Sequence, residues 1–299
     1  MEKINRIQRI GYACINLSVE PKKFRTTTLS WLNRQSQKVA EQRLYEIYKN
    51  NLEYLYNIID YNIHHNIWAY RISSSLFPMA DHPNYSHYFN KWVKSNPRSL
   101  NVLRESVKKY LDNNGRLEIH PGAFCVISSC RESVRTSSIS YLEFQASILN
   151  LLNIPQNYDC PITLHISNGK NGYNHVDYVK KSLSDLSFSV ISRLSFENED
   201  ANYWTVSNIR KHFPNTPVIF DTLHESCNPD GRKLHIVVED VKSSWGETKP
   251  LMHYSEGING EKDRRHSDYI KNYPSEYLDW ADVIVEAKKK NLAILNCFK

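Results

Sequence analysis

Glycine is scarce, with nine in 299 residues. No Gly-rich turn follows the first apolar stretch, where IGYACIN offers Gly11 alone, so a dinucleotide-binding doubly wound sheet lacks its phosphate loop. Six cysteines (Cys14, Cys125, Cys130, Cys160, Cys227, Cys297) form no C-x-x-C pair, which argues against a zinc ribbon and for reduced intracellular thiols rather than a disulfide frame. No apolar run approaches the ~20 residues needed to span a bilayer. The opening stretch MEKINRIQRIGYACINL has neither a long apolar core nor a cleavage signature. The expectation is a soluble intracellular protein. Low-complexity linkers are absent too, so one domain over 1–299 is expected. Charge is only mildly unbalanced, at +6 with a pI near 8.8, which suits a polyanionic partner without requiring one.

The remaining composition, 40% hydrophobic and 12% aromatic residues, is ample for a large core and excludes a disordered chain. Short apolar runs read as strands at Ile7–Ile15, Trp68–Ile72, Leu117–His120, Ile162–Ile166, Leu194–Glu197, Val218–Asp221, Pro250–Tyr254 and Asp282–Ala287. Between them, helical periodicity covers Val39–Ile63, Arg98–Asn113, Ser133–Leu152, Tyr173–Leu186, Trp204–Phe213, Pro229–Trp245 (with Asp230 near its start) and Pro274–Ala281. The stretches Asn16–Ser30 and the Ser/Pro-rich segment ending at Asp81-His82-Pro83 read as loops. Eight strands alternating with helices predict a single (β/α)8 TIM barrel of the α/β class.

Six of the eight strands run into a ligand-type residue: His120, His165, Glu197, Asp221, His253 and Glu286. His224 and His266 follow in the next loops, and His82 closes the loop after the second strand. In a parallel barrel these strand ends share one face, where active sites sit. That many imidazoles and carboxylates exceed the needs of one four-coordinate ion, so two or three divalent metal ions are expected, with a carboxylate bridging. Without cations, carboxylates so close would raise one another's pKa values. His64, His65, His87, His175, His212 and His235 fall on helices or loop surfaces and read as ordinary surface residues. Such a cluster serves phosphate-ester hydrolysis or hydride-shift isomerisation of sugars. Arg131, Arg135, Lys262, Arg264, Arg265 and the run Lys288–Lys290 lie in loops after strand ends, where they can track a phosphate backbone, which favours the first.

The strings IGYACIN, RISSSLFPMADHP, IHPGAF, LHIS, FENED, DTLHESCNP and DVIVEAK occur in an order that resembles the UV-damage endonucleases, DNA-repair enzymes on a barrel related to endonuclease IV. The resemblance runs from about Arg9 to Lys288. It implies metal ligands at His120, His165, Glu197, Asp221, His224, His253, His266 and Glu286, with Glu197 bridging two ions and central to catalysis. It also implies His82 near metal or phosphate in the catalytic site, DNA contacts at Tyr12 and Asn16, and manganese as the usual ion with zinc as an alternative. The implied reaction nicks damaged double-stranded DNA immediately 5′ to UV photoproducts and other distorting lesions. It leaves 3′-hydroxyl and 5′-phosphate ends, by a monomer without organic cofactor or membrane. This chain departs from the family twice. Ala123-Phe124 replaces the Gln-Tyr pair that often probes the lesion, and Leu251 stands where the family can carry a lysine. Ala123, Phe124, Arg264 and Arg265 are the expected lesion and backbone contacts. Alternatives are an abasic-site endonuclease of the endonuclease IV type, a sugar isomerase on the same barrel, and a damage-binding protein without catalysis.

Overall fold

The computed structural model describes residues 8–166 and 175–297. Eight parallel strands close a barrel in sequence order: β1 (Ile10–Ala13), β2 (Ala69–Ile72), β3 (Arg116–Ile119), β4 (Ile162–His165), β5 (Leu194–Glu197), β6 (Val218–Asp221), β7 (Leu251–Tyr254) and β8 (Asp282–Val285). β8 pairs with β1, with Gly11 opposite Ile284, which completes the ring. The predicted TIM barrel is what forms. Each strand is four residues of nearly uninterrupted burial, as parallel strands covered on both faces should be. Alternate side chains turn outward under the helices. Tyr12 and Tyr70, for example, meet edge to face at 5.4 Å, and Phe196 meets Phe213 at 5.2 Å.

Helices Gln37–His64, Pro97–Asp112 and Glu132–Leu151 fall within a residue or two of their predicted limits. Ile7 and Tyr173, the predicted starts of the first strand and of the helix now seen at Val176–Ser184, lie outside the described residues. Ser86–Ser95 is an additional helix that buries Tyr88, Phe89 and Trp92. The predicted Pro229 start is corrected: that helix runs Leu234–Ser244. Gly231 at φ +87° turns the chain ahead of it, and the Asp230 carboxylate instead accepts the Ser207 N–H (2.7 Å), capping Val206–His212. At the N-terminal end of the barrel, buried Arg116 donates to Asp282 Oδ2 (2.8 Å) and to the carbonyls of Lys249, Asp159 and Tyr158. This end is closed by an ionic plug in which Asp282 pairs with Arg116 and Lys249. The five cysteines with described side chains are free thiols, and no described helix is long and apolar enough to cross a membrane.

Candidate metal centre

The C-terminal strand ends converge on Glu197, the last residue of β5. Its Oε2 lies 2.8 Å from His120 Nε2 and 3.5 Å from His165 Nε2. Its Oε1 lies 2.9 Å from His253 Nδ1 and 3.4 Å from His224 Nδ1. Two donor groups share this carboxylate, namely His120–His165–Glu197 and Glu197–Asp221–His224, with donor atoms in each within 4.8 Å of one another. Asp221 is fully buried; it accepts the His224 N–H (2.8 Å) as the cap of the short helix Thr222–Cys227 and the Ser255 hydroxyl at 2.9 and 3.0 Å. His266 reaches the rim because its loop folds back. Gly257 pairs with it in an antiparallel bridge, and a Cβ there would meet Gly260 O at 2.1 Å. His266 Nδ1 lies 3.6 Å from Glu286 Oε2.

Outer groups face one nitrogen of His120, His165, His224 and His253. His120 Nδ1 faces Pro121 O (3.0 Å), His224 Nδ1 donates to Asn198 O (2.7 Å), and His165 Nδ1 lies 3.3 Å from Glu199 Oε1. His253 is turned the other way, with Nε2 2.9 Å from Glu118 Oε1. A neutral His120 satisfies Pro121 O or Glu197 but not both, so either a second proton or a cation belongs beside its Nε2. Two ligands each about 2.1 Å from one ion, at right angles, are about 3 Å apart, which matches the spacings around Glu197. His165 Nδ1 and Glu199 Oε1 are buried without a hydrogen-bond partner. The nitrogen and oxygen donor set suits a borderline or hard divalent cation. These residues fit a metal centre.

The electrostatics correct one expectation. Crowding was expected to raise the carboxylate pKa values. Burial does push Glu197 upward, yet His253 and His165 outweigh it and hold the carboxyl well below its usual range. Glu286 falls to about 2, with Arg71 and His253 overcoming burial, and Glu118 is held lower still by the same pair. The histidines respond in kind: against burial, Glu197 brings His165 up to about 9 and His253 up to about 10. His224 is also raised, against burial, by Asp221 and Glu197. His120 is lowered, burial outweighing Glu197. Protons and one guanidinium therefore supply the positive charge in the metal-free barrel.

The family model described as UV-endonuclease UvdE matches residues 8–299. The chain belongs to this family. Among curated relatives, the UV DNA damage endonuclease of Deinococcus radiodurans is 30% identical over 295 residues, covering 96% of this chain and 94% of that one. The crystal structure of SacUVDE superposes with a TM-score of 0.81 at 28% identity, covering 96% of each chain. A D-tagatose 3-epimerase-like protein shares the fold alone, with a TM-score of 0.53 at 16% identity over 79% of this chain and 88% of its own. UV endonucleases are hydrolases of DNA phosphodiester bonds, so the chain takes its place among enzymes.

Within this UV-endonuclease barrel, the predicted DNA contacts separate into two sets. Ala123 and Phe124 are exposed beyond the His-Pro-Gly turn, Phe124 at 67% with its ring edge-on to Tyr141 at 4.8 Å. Arg264 pairs with Asp200 (3.3 Å) and Arg265 is forked onto Asp263 at 2.9 and 2.7 Å; both guanidinia remain largely exposed. Tyr12 and Asn16, by contrast, are both fully buried. The Tyr12 hydroxyl donates to Asn62 Oδ1 (2.8 Å) and accepts from Asn16 Nδ2 (2.7 Å), while the Asn16 backbone is held by Tyr54. They lock the end of β1 to helix Gln37–His64. Arg135 is likewise buried in its helix, donating to Ser129 O and Cys130 O, and is no backbone contact. His82 stands outside both donor groups. Its Nδ1 accepts the Asn84 N–H (3.2 Å), and it lines a surface groove with Phe124 and Tyr141.

Three charged residues of the centre are additional to those expected. Arg71 on β2 donates through Nε to Glu118 Oε2 (2.9 Å), and its Nη1 is ion-paired to Glu286 Oε1. Glu118 and Glu199 face His253 and His165 as described. A sequence signal existed for Glu118: in Arg116-Leu117-Glu118-Ile119-His120 it lies two residues before a strand-end histidine, hence on the same face.

Proposed function

We propose that this chain is a metal-dependent DNA-repair endonuclease that cuts damaged duplex DNA immediately 5′ to UV photoproducts and other distorting lesions, leaving 3′-hydroxyl and 5′-phosphate ends. The observation that carries the reading is the convergence of His120, His165, Asp221, His224 and His253 around Glu197 in a member of the UV-endonuclease family. We take residues 1–299 as one domain, acting as a monomer without an organic cofactor. His120, His165, Glu197, Asp221, His224, His253, His266 and Glu286 would hold two or three divalent ions, manganese first and zinc second. Ions held there would supply positive charge to the phosphate and to the attacking and leaving oxygens of an in-line displacement.

The chain's own residues do the rest. Glu197 sets the spacing of the centre by facing four imidazoles. Pro121, Asn198 and Glu118 hold the rings of His120, His224 and His253, so that each turns one nitrogen inward. Arg264, Arg265, Lys262 and Lys288–Lys290 give the rim a positive charge for the phosphate backbone. Phe124 stands where a base could be met face-on, and a lesion that has already weakened stacking costs less to extrude. His82, which lines the groove with Phe124, would contact metal or phosphate beside the centre. The test is incision of irradiated and abasic duplexes with and without chelator. Cutting of irradiated duplex that a chelator stops supports the reading; cutting only at abasic sites favours the endonuclease IV type; no cutting of either contradicts both.

A further inference from the structure

We infer that Glu118 is a positioning residue for His253, fixing which of its ring nitrogens is turned to the metal centre, and that Arg71 holds Glu118 in place for that task. The inference rests on reading the site as a metal centre. Glu118 sits on β3, two residues before His120, with 1% of its surface exposed. Its Oε1 lies 2.9 Å from His253 Nε2 and accepts the Thr163 hydroxyl (2.5 Å); its Oε2 accepts Arg71 Nε (2.9 Å). His253 Nδ1 points the other way, 2.9 Å from Glu197 and 3.6 Å from Glu286.

His253 Nε2 also lies 2.6 Å from Arg71 Nη2. Glu118 accepts a hydrogen bond from an Nε2–H, whereas Arg71 donates one to an Nε2 lone pair, so for the neutral ring the two neighbours favour opposite tautomers. A cation held by His253 beside Glu197 and Glu286 would need the Nδ1 lone pair. The proton would then sit on Nε2, where Glu118 is the acceptor for its hydrogen bond, and the Arg71–Nε2 contact would have to open. Nothing on β7 can substitute, because Leu251, two residues before His253 and on the same strand face, is apolar and fully buried. The carboxylate that orients this ligand comes across the barrel from β3. Outer carboxylates of this kind orient metal-bound imidazoles and make them more basic.

Removing Glu118 leaves Arg71 paired with Glu286, so no orphaned charge is created and the variants should fold. Glu118→Ala and Glu118→Gln are expected to weaken manganese binding to the purified chain by about 10- to 100-fold, the usual range for losing such a partner. Glu118→Asp should recover part of the loss. The readouts are titration calorimetry with Mn2+ alone, metal content after dialysis, and the visible spectrum of the Co2+-loaded chain, which reports coordination directly. A structural role alone would lower the melting temperature of metal-free Glu118→Ala and leave the Mn2+ affinity and Co2+ spectrum of Glu118→Gln as in the wild type; that result overturns the inference. Failure of the metal-centre reading is separate, since the wild-type chain would then bind no Mn2+ at all.

Discussion

Phe124→Ala separates recognition from packing, because the two roles predict opposite losses. Phe124 is 67% exposed, so about a third of its surface is covered. A third of an aromatic side chain's roughly 200 Å2, at about 25 cal/mol/Å2, is worth about 1.5 kcal/mol. That is an upper figure, since the unfolded chain also covers part of the ring. With its edge contact to Tyr141 included, truncation should cost about 1–2 kcal/mol of stability, well under the about 3–5 kcal/mol of a core Phe→Ala change. The melting temperature should fall by roughly 2–3 °C. Stacking on a base is worth about 1–3 kcal/mol, so affinity for UV-irradiated duplex should drop about ten- to hundredfold, while affinity for undamaged duplex barely changes. Fluorescence anisotropy on matched duplexes and a thermal melt provide both numbers. A stability loss of about 3–5 kcal/mol with unchanged affinity for damaged DNA would refute the argument and place the ring in the core.

Metal uptake should be strongly pH-dependent. In the metal-free protein His165 is brought up to about 9 and His253 up to about 10, so both carry protons at pH 7 that a metal must displace. Mn2+ affinity should therefore keep rising from pH 6 to pH 8 with proton release, seen by calorimetry in buffers of different ionisation enthalpy; uptake without proton release at pH 7 would contradict it. By the same sign, these raised histidines stabilise the metal-free fold fully below about pH 6.5, and that contribution is lost as pH rises through 9 to 10. DNA affinity should fall steeply between 50 and 200 mM salt, with a log–log slope of about −0.9 per phosphate neutralised. Arg264→Ala should reduce that slope by about one on damaged and undamaged duplex alike, and a salt-independent affinity would remove the basic rim from the account.

The barrel was legible because all eight strands are short apolar runs flanked by polar turns, and because ligand-type residues recur at one end of six of them. Asp221 shows how one signal can serve two roles, since the cap of a helix and a member of the donor set proved to be the same carboxylate. Arg71 and Glu118 escaped notice because a charge inside an apolar strand has meaning only through its partners across the barrel, which are distant in sequence and set by closure. The surroundings of Tyr12 and Asn16 were hidden for the same reason. A polar residue beside a strand end can turn inward to helix Gln37–His64 as readily as outward to a ligand. Helix Ser86–Ser95 lacks a side-chain cap at Tyr85, so its start carried no local signal.

The central claim is tested most directly by incision of a UV-irradiated, end-labelled duplex by the manganese-loaded chain, with Glu197→Ala alongside. The account predicts a single nick immediately 5′ to the photoproduct with a 3′-hydroxyl end, abolished by chelator, restored by manganese, and absent in a folded Glu197→Ala variant. Incision that survives both the chelator and the Glu197→Ala change would contradict it.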